Sequence, residues 1–183
     1  MAIAMVAMLA FGGTYAYFTD TATGSTTNSV LTGTVDLGAS ATVTLAIQDD
    51  ETLLLPGDTL TMTANVDNTS DVAIWAFVVF DLTGDTLPDG TLTMTPASGW
   101  TLLEIDGKEI SKDVYYAPVT AGGTVAITAT GTFLVTADGA AYMGKNVGAS
   151  ATFAATQSRH LDTAAAAVEH VKTSLGITIA DAA

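Results

Sequence analysis

The hydrophobic and polar residues of this chain alternate over several stretches, which is the pattern of β-strands with one buried face. Between Thr59 and Asp67, apolar residues occupy every second position, and threonine or asparagine separates them. The ranges 42–47, 124–135 and 147–155 repeat this alternation. Because Asp, Asn, Gly and Pro between the apolar runs predict tight turns, about eight or nine antiparallel strands are expected, packed as a β-sandwich.

Shorter apolar runs predict the strands that complete the sheets. Residues 92–94 predict a small strand, and residues 100–105 predict another. Asp106-Gly107 follows the second run, and this dipeptide is typical of a β-hairpin turn. Residues 177–179 predict a short edge strand near the C-terminus.

The range 73–82 differs from the other strands because both of its faces are apolar. Trp75 and Phe77 fall on one face, whereas Ile74 and Val78 fall on the other. A strand of this kind is typical of a central position with cover on both sides. In a simple sandwich the outer face meets water, so we expect the C-terminal helix or a neighbouring subunit to cover it.

A single short helix is predicted at residues 162–175. Asp162 is placed to cap its N-terminus, and Gly176 is placed to end it. The helix has one apolar stripe, formed by Val168, Val171 and Leu175. This stripe predicts that the helix lies against a sheet.

The N-terminal segment, residues 1–20, carries no charged side chain before Asp20. It is typical of the apolar core of a secretory signal cleaved after Ala16, but no Lys or Arg precedes Lys108. It is also close to the roughly 20 residues that a membrane helix needs. As a strand, it places most large side chains on one face, as insertion into a partner's sheet requires. That face consists of Met1, Ile3, Met5, Ala7, Leu9 and Phe11.

Three regions follow from these patterns. Residues 1–20 form the apolar segment, which is a donor strand or a leader. Residues 21–34 form a link rich in Gly, Ser and Thr, which is flexible by composition. Residues 35–183 form one β-sandwich domain, long enough to bury a substantial core.

The charge of the chain excludes several classes of partner. Acidic residues outnumber basic ones by 19 to 5, which gives a formal net charge of −14. Nucleic-acid binding is excluded because it needs Lys and Arg to neutralise phosphates, and docking on anionic lipid is disfavoured for the same reason. Carboxylates cluster in predicted turns, where calcium could bind, but none fits the twelve-residue calcium loop. No cofactor is predicted, and calcium is left as an unlocated possibility.

No motif for catalysis is found in the sequence. HExxH, GxSxG and the glycine-rich nucleotide loops do not occur. The chain has no cysteine, which excludes disulfides and thiolate zinc sites. We interpret His160 and His170 as surface histidines, because no motif pairs them. Asn68-Thr69-Ser70 fits the glycosylation pattern, which occurs often by chance.

Several motifs, taken in order, resemble one known family across most of the chain. They are Gly12-Gly13-Thr14-Tyr15-Ala16-Tyr17-Phe18-Thr19-Asp20, Gly33-Thr34-Val35-Asp36-Leu37, Leu55-Pro56-Gly57-Asp58, Val66-Asp67-Asn68-Thr69-Ser70, Tyr115-Tyr116-Ala117-Pro118-Val119, Gly122-Gly123-Thr124 and Phe153-Ala154-Ala155-Thr156-Gln157 before Asp162-Thr163-Ala164-Ala165. Each motif is modest alone, but their order is fairly specific. Together they resemble the TasA/camelysin family, secreted fibre-forming proteins whose leader is removed by the signal peptidase SipW.

The resemblance implies a jelly-roll-like β-sandwich that is a structural subunit of an extracellular filament, in a biofilm matrix or a cell-surface fibre. Subunits would join head to tail by donor-strand complementation, in which one copy's N-terminal strand completes the next copy's sheet. Contact with a membrane would be transient, during export. The expected donor side chains are Met1, Ile3, Met5, Leu9, Phe11, Tyr17 and Phe18. In TasA-like proteins the leader is cut near Ala16, so the donor begins at either Met1 or Tyr17.

Two other functions remain open at this point. Camelysin-like members are also described as proteases, which suggests a monomeric surface metalloprotease, although no residues of this sequence are placed for hydrolysis. Residues 1–18 could also anchor a surface domain in a membrane. A non-enzymatic filament subunit is the function that the residues and the resemblance favour together.

Overall fold

The computed structural model describes residues 19–23, 44–47, 57–87, 90–134 and 147–182. Within these ranges the chain forms eleven strands and two short helices. The strands are β1 (Thr19–Thr23), β2 (Thr44–Ile47), β3 (Thr59–Asp67), β4 (Ile74–Gly84), β5 (Thr95–Pro96), β6 (Thr101–Leu102), β7 (Lys108–Ile110), β8 (Val114–Val119), β9 (Thr124–Thr132), β10 (Val147–Gln157) and β11 (Ile179–Asp181). The helices are α1 (Ala164–Val168) and α2 (Lys172–Leu175).

Two antiparallel sheets pack face to face and form the sandwich. The five-stranded sheet has the order β1-β10-β4-β8-β6, and the four-stranded sheet has the order β2-β3-β9-β5. The core between them includes Leu60, Met62, Ile74, Val78, Ile127 and Phe153. The predicted all-β antiparallel sandwich is therefore confirmed.

β3 and β9 confirm the alternation that was read from the sequence. Leu60, Met62 and Ile127 are almost fully buried, whereas the threonines beside them face outward. The two strands pair over their whole length, from Thr59 opposite Thr132 to Asp67 opposite Thr124. Cross-strand partners share a face, so one surface of this pair is apolar and the other is polar.

β4 is covered on both faces, as its pattern predicted. Ile74 and Val78 point into the core between the sheets. Phe77 and Val79 point the other way, into a second cluster that contains side chains of both helices. Each is fully buried, which stabilises the fold by about 1.5–3 kcal/mol per side chain. The cover on the outer face is thus the chain's own C-terminal region.

The predicted helix is present as two shorter helices. Val168, Val171 and Leu175 are buried against the five-stranded sheet, which confirms the apolar stripe. The cap was predicted wrongly: Thr163, not Asp162, is the N-cap, and its Oγ1 accepts a hydrogen bond from the Ala166 amide. Both residue types cap helices well, and the extended backbone of Thr163 places its hydroxyl over the first turn. A turn at residues 169–171 separates the two helices.

Gly176 ends the second helix as predicted. Its backbone has φ 63°, in the left-handed region that favours glycine, and its amide bonds back to the helix. The chain then turns into β11, which pairs with β7. The C-terminal strand therefore begins at Ile179 and lies two residues later than the pattern indicated.

The small strand predicted at residues 92–94 lies slightly later in the chain, as β5 (Thr95–Pro96), and it pairs with β9. Leu92 and Met94 are buried next to Gly131 of β9. A Cβ on Gly131 would lie 2.8 Å from both side chains, so the approach depends on glycine. Backbone pairing flanks this contact, since the Leu134 amide donates to the Thr91 carbonyl at 2.8 Å and β5 pairs with β9.

The turn predicted at Asp106-Gly107 is present, since the Lys108 amide donates to the Ile105 carbonyl at 3.0 Å, but the strands on its two sides do not pair with each other. Strand structure in residues 100–105 is limited to β6, and β7 after the turn pairs with β11 instead of β6. Leu103 remains bonded to β8, since its amide donates to the Val114 carbonyl at 2.7 Å, and its side chain packs beneath the helices.

Candidate functional site

The site of interest is the edge of β10, where the start of the described chain is bound. β1 lies antiparallel to β10, from Thr19 opposite Thr156 to Thr23 opposite Thr152. It forms the outermost strand of the five-stranded sheet. The strand crosses the boundary drawn at residue 20, because Thr21–Thr23 belong to it and not to a link.

β10 is built to hold a strand on this edge. On its other side it pairs with β4 along all eleven residues, from Val147 opposite Gly84 to Gln157 opposite Ile74. Phe153 and Ala155 fill the core between the sheets, and Ala154 packs toward the helices. A strand anchored on both faces and along one edge presents its second edge in a fixed geometry.

Thr156 is an unusual residue in the segment that pairs with β1. It is fully buried, and its hydroxyl has no hydrogen-bond partner among the described residues. A buried hydroxyl without a partner costs free energy, because its bonds to water are not replaced. Trp75 lies opposite Thr156 on β4. Its polar atom does have a hydrogen-bond partner, since its Nε1 donates to the Leu161 carbonyl at 2.9 Å.

The predicted donor side chains lie outside the described residues. These are Met1, Ile3, Met5, Leu9, Phe11, Tyr17 and Phe18. Phe18 directly precedes β1, so the donor segment leads along the sequence into the strand that β10 binds. The sequence did not indicate a strand at Thr19–Thr23, because its residues are polar and show no apolar alternation.

Two carboxylates of the acidic clusters, Asp81 and Asp67, are hydrogen-bonded to nearby side chains. Asp81 accepts two hydrogen bonds from the Lys112 ammonium, at 2.8 and 3.0 Å. Asp67 accepts one from the Thr124 hydroxyl at 2.6 Å. Within the described ranges, no three His, Asp or Glu side chains are grouped so as to hold a metal ion.

The two histidines lie at separate turns on the surface. His160 follows β10 and has a left-handed backbone with φ 67°, and His170 lies between the two helices. Both are exposed, as their interpretation as surface residues required.

The sequon asparagine is a structural residue. Asn68 is 1% exposed, and its Nδ2 donates to the carbonyls of Val72 and Thr120 at 2.8 and 2.9 Å. Its Oδ1 accepts hydrogen bonds from the amide and the hydroxyl of Ser70. The side chain therefore joins two loops, and its nitrogen is not presented to solvent for glycosylation.

An exposed ion pair holds the C-terminal strand at the molecule's surface. The Lys108 ammonium lies 2.5 Å from Asp181, across the β7–β11 pair. Their hydrogen bond and opposite charges raise the pKa of Lys108 and lower the pKa of Asp181. Because both groups are exposed to solvent, which screens their charges, this pair contributes more to the placement of β11 than to global stability.

The aromatic residues act in packing, as the sequence indicated. Trp75 and Tyr116 meet edge to face with ring centroids 5.7 Å apart, on the helix side of the five-stranded sheet. Trp100 is mostly buried, and its Nε1 donates to the Ala126 carbonyl at 3.0 Å. Burial, with the charge of Asp113 as a second cause, raises the pKa of Tyr115.

Comparison with known proteins gives one family match, over the N-terminal part of the chain. No curated protein matches the chain. No helix among the described residues is long and apolar enough to cross a membrane. Residues 1–83 match the model of a family described as camelysin metallo-endopeptidase, and the described residues provide no fitting ligand set for the metal that this name implies. Over residues 1–83 this match confirms the resemblance to the TasA/camelysin family, a family of surface and secreted proteins.

Proposed function

We propose that this protein is a non-enzymatic structural subunit of an extracellular filament, in which each copy gives its N-terminal strand to the next. The observation that carries the proposal is the β1–β10 pairing. A strand next to the predicted donor segment lies on a sheet edge, where another copy's strand can replace it. The filament would be secreted and would form part of a biofilm matrix or a cell-surface fibre.

Exchange between copies preserves every backbone hydrogen bond of the pairing. If β1 leaves its own β10 and the same strand of another copy enters, the register from Thr19 to Thr156 is restored. Such an exchange is a strand swap, which needs no new surface. Each copy then gives its strand to the copy ahead and receives a strand from the copy behind. Because such head-to-tail contacts do not close into a ring, they produce a filament.

The chain is long enough to reach a neighbour. Residues 24–43 separate β1 from β2. A stretch of this length spans up to about 70 Å when extended, at 3.3–3.6 Å per residue. β1 can therefore lie well away from its own sandwich while β2 remains in place.

β1 alone is too weak to hold two copies together. A five-residue edge strand makes about five inter-strand hydrogen bonds, each worth ~0.5–1.5 kcal/mol net, or about 2.5–7.5 kcal/mol in all. Association itself costs an estimated 4–15 kcal/mol. Burial of about four large side chains from residues 1–18, at ~1.5–3 kcal/mol each, would add ~6–12 kcal/mol. The proposal therefore needs the apolar residues as well as β1.

The experiment is a truncation series examined by electron microscopy. Chains that begin at Met1, Gly12, Tyr17 and Gly24 are purified, and their folding is checked by circular dichroism. We expect filaments from the full chain and a folded monomer without filaments from the chain that begins at Gly24. The shortest truncation that abolishes filaments locates the start of the donor at Met1 or Tyr17. Equal filaments from all four chains would overturn the proposal.

A peptide can test the receiving edge separately. A synthetic peptide of residues 12–23, added in excess, should occupy β10 and stop filament growth at its ends. The matched control is the same peptide with Ala22→Pro, because proline removes a backbone donor and breaks strand pairing. Equal inhibition by both peptides would point to a non-specific effect and contradict strand exchange at β10.

The family's printed description supports a second candidate, a metallo-endopeptidase. A casein-cleavage assay on the pure protein, with and without a chelator, separates the two functions. We expect no cleavage above the buffer control. Cleavage that the chelator removes would favour the peptidase. A protein that stays in solution only with detergent would instead favour a membrane anchor at residues 1–18.

A further inference from the structure

The outward face of β3 and β9 carries a regular array of threonines. Two T-x-T-x-T runs lie side by side in register, so that threonine faces threonine three times. The pairs are Thr59 with Thr132, Thr61 with Thr130, and Thr63 with Thr128. We call these six residues the threonine face. Thr95 of β5 extends the middle row, because it pairs with Thr130 from the other side.

The threonine face is exposed and carries no charge. Thr63, Thr128, Thr130 and Thr132 are exposed, while the residues between them fill the core. The nearest charged residue on these two strands is Asp67 at the far end, where it is bonded to Thr124. The opposite side of the sandwich differs, because the helices there present Glu169 and Lys172.

This lack of charge matters because the chain is strongly acidic. At a net charge of −14, two copies repel each other wherever their carboxylates meet. A neutral face allows close approach without that repulsion. Threonine also offers both a methyl group and a hydroxyl, so it can pack and form hydrogen bonds across a contact.

The size of the face sets how strong such a contact can be. The six threonines span five residues of each strand, so the face is about 17 Å long and about 10 Å wide, or roughly 170 Å² per copy. A stable interface needs about 800 Å² per partner, so one pair of faces binds weakly. Many faces along a filament act together and raise the combined affinity by orders of magnitude.

We propose that the threonine face is the lateral contact by which copies in neighbouring filaments pack against each other, threonine face to threonine face. This inference rests on the proposed filament function, because a single contact is too small to hold. The partner is a second copy of this chain, and the contact is two-fold, so a residue near its centre meets its own counterpart. The face has no aromatic residue among its six members, so it lacks the rings on which a sugar would stack.

Charge at the centre of the face gives the first test. Thr130→Glu and Thr130→Lys are each expected to leave single filaments intact and to abolish bundles, because like charges then meet across the contact. When preformed filaments of the Thr130→Glu variant are mixed with those of the Thr130→Lys variant, bundles are expected to return, because opposite charges then meet across the contact. Thr173→Glu on the exposed side of α2 is the matched control and should bundle like the unchanged chain. Bundles in both separate Thr130 variants would overturn the inference.

Cysteine cross-linking gives the second test and does not depend on filaments. The chain has no cysteine, so Thr130→Cys and Thr173→Cys each introduce a single thiol. In concentrated protein, oxidation should form disulfide-linked dimers of the Thr130→Cys variant at least severalfold faster than dimers of the Thr173→Cys variant. Equal rates would overturn the lateral contact. If the full chain gives no filaments by electron microscopy, the proposed function fails, and the ratio of these rates still decides the inference.

Discussion

Replacement of Thr156 by valine tests how the β10 edge is built. Thr156 is fully buried opposite Thr19 of β1, and no group in the described part of the chain forms a hydrogen bond with its hydroxyl. Thr156→Val keeps the shape of the side chain and exchanges the hydroxyl for a methyl group. A buried polar group without a partner costs about 1–3 kcal/mol, so its removal should stabilise the protein. We expect the free energy of unfolding to rise by about 1–2 kcal/mol.

Chemical denaturation of the chain that begins at Gly12, checked to be free of filaments, measures this change. In a domain of this size, 1 kcal/mol corresponds to about 2–4 °C in Tm, so thermal melting should shift upward by roughly 2–8 °C. Thr63→Val on the exposed face is the control and should change stability by less than ~0.5 kcal/mol. Thr156→Ser, which keeps the hydroxyl and loses the methyl group, should destabilise.

The opposite result would refute this reasoning. If Thr156→Val lowers the free energy of unfolding by about 1 kcal/mol or more, the hydroxyl must have a partner in solution. The surroundings of the Thr156 side chain, between β1 and the helices, would then differ from those in the structure.

Three further changes test other parts of the fold. Gly131→Ala should destabilise by about 1–3 kcal/mol, because the new methyl group meets Leu92 and Met94; unchanged denaturation would contradict that packing. Trp75→Phe removes the hydrogen bond to the Leu161 carbonyl, and a loss of about 1 kcal/mol with faster amide exchange in residues 158–163 is expected. The Lys108–Asp181 pair should hold β11 between two pH limits: its contribution declines as pH falls through the lowered pKa of Asp181, and again as pH rises through the raised pKa of Lys108. Amide exchange in β11 measures this, and a Lys108→Met variant should show fast exchange at every pH.

The sequence predicted the parts of the fold that depend on local burial. Alternation in β3 follows from one buried face, so it is visible along the chain. The two apolar faces of β4 required cover from elsewhere, and the stripe at Val168, Val171 and Leu175 was available to give it. Both conclusions needed only the period of the side chains.

What sequence alone missed depends on contacts between distant residues. The packing of Leu92 and Met94 against Gly131 is a contact between residues far apart in the chain, and no local pattern shows that approach. The burial of Asn68 follows from two loops that meet at residues 72 and 120. β1 was missed for another reason: an edge strand pairs through its backbone, and its side chains need no apolar period.

The central claim is that one copy's N-terminal strand occupies the β10 edge of the next copy. Electron microscopy of the full chain beside the chain that begins at Gly24 tests it most directly, since only the first contains β1 and the apolar segment. We predict long unbranched filaments from the full chain and dispersed particles from the truncated one. Dispersed particles from both chains, or the same filaments from both, would contradict the account.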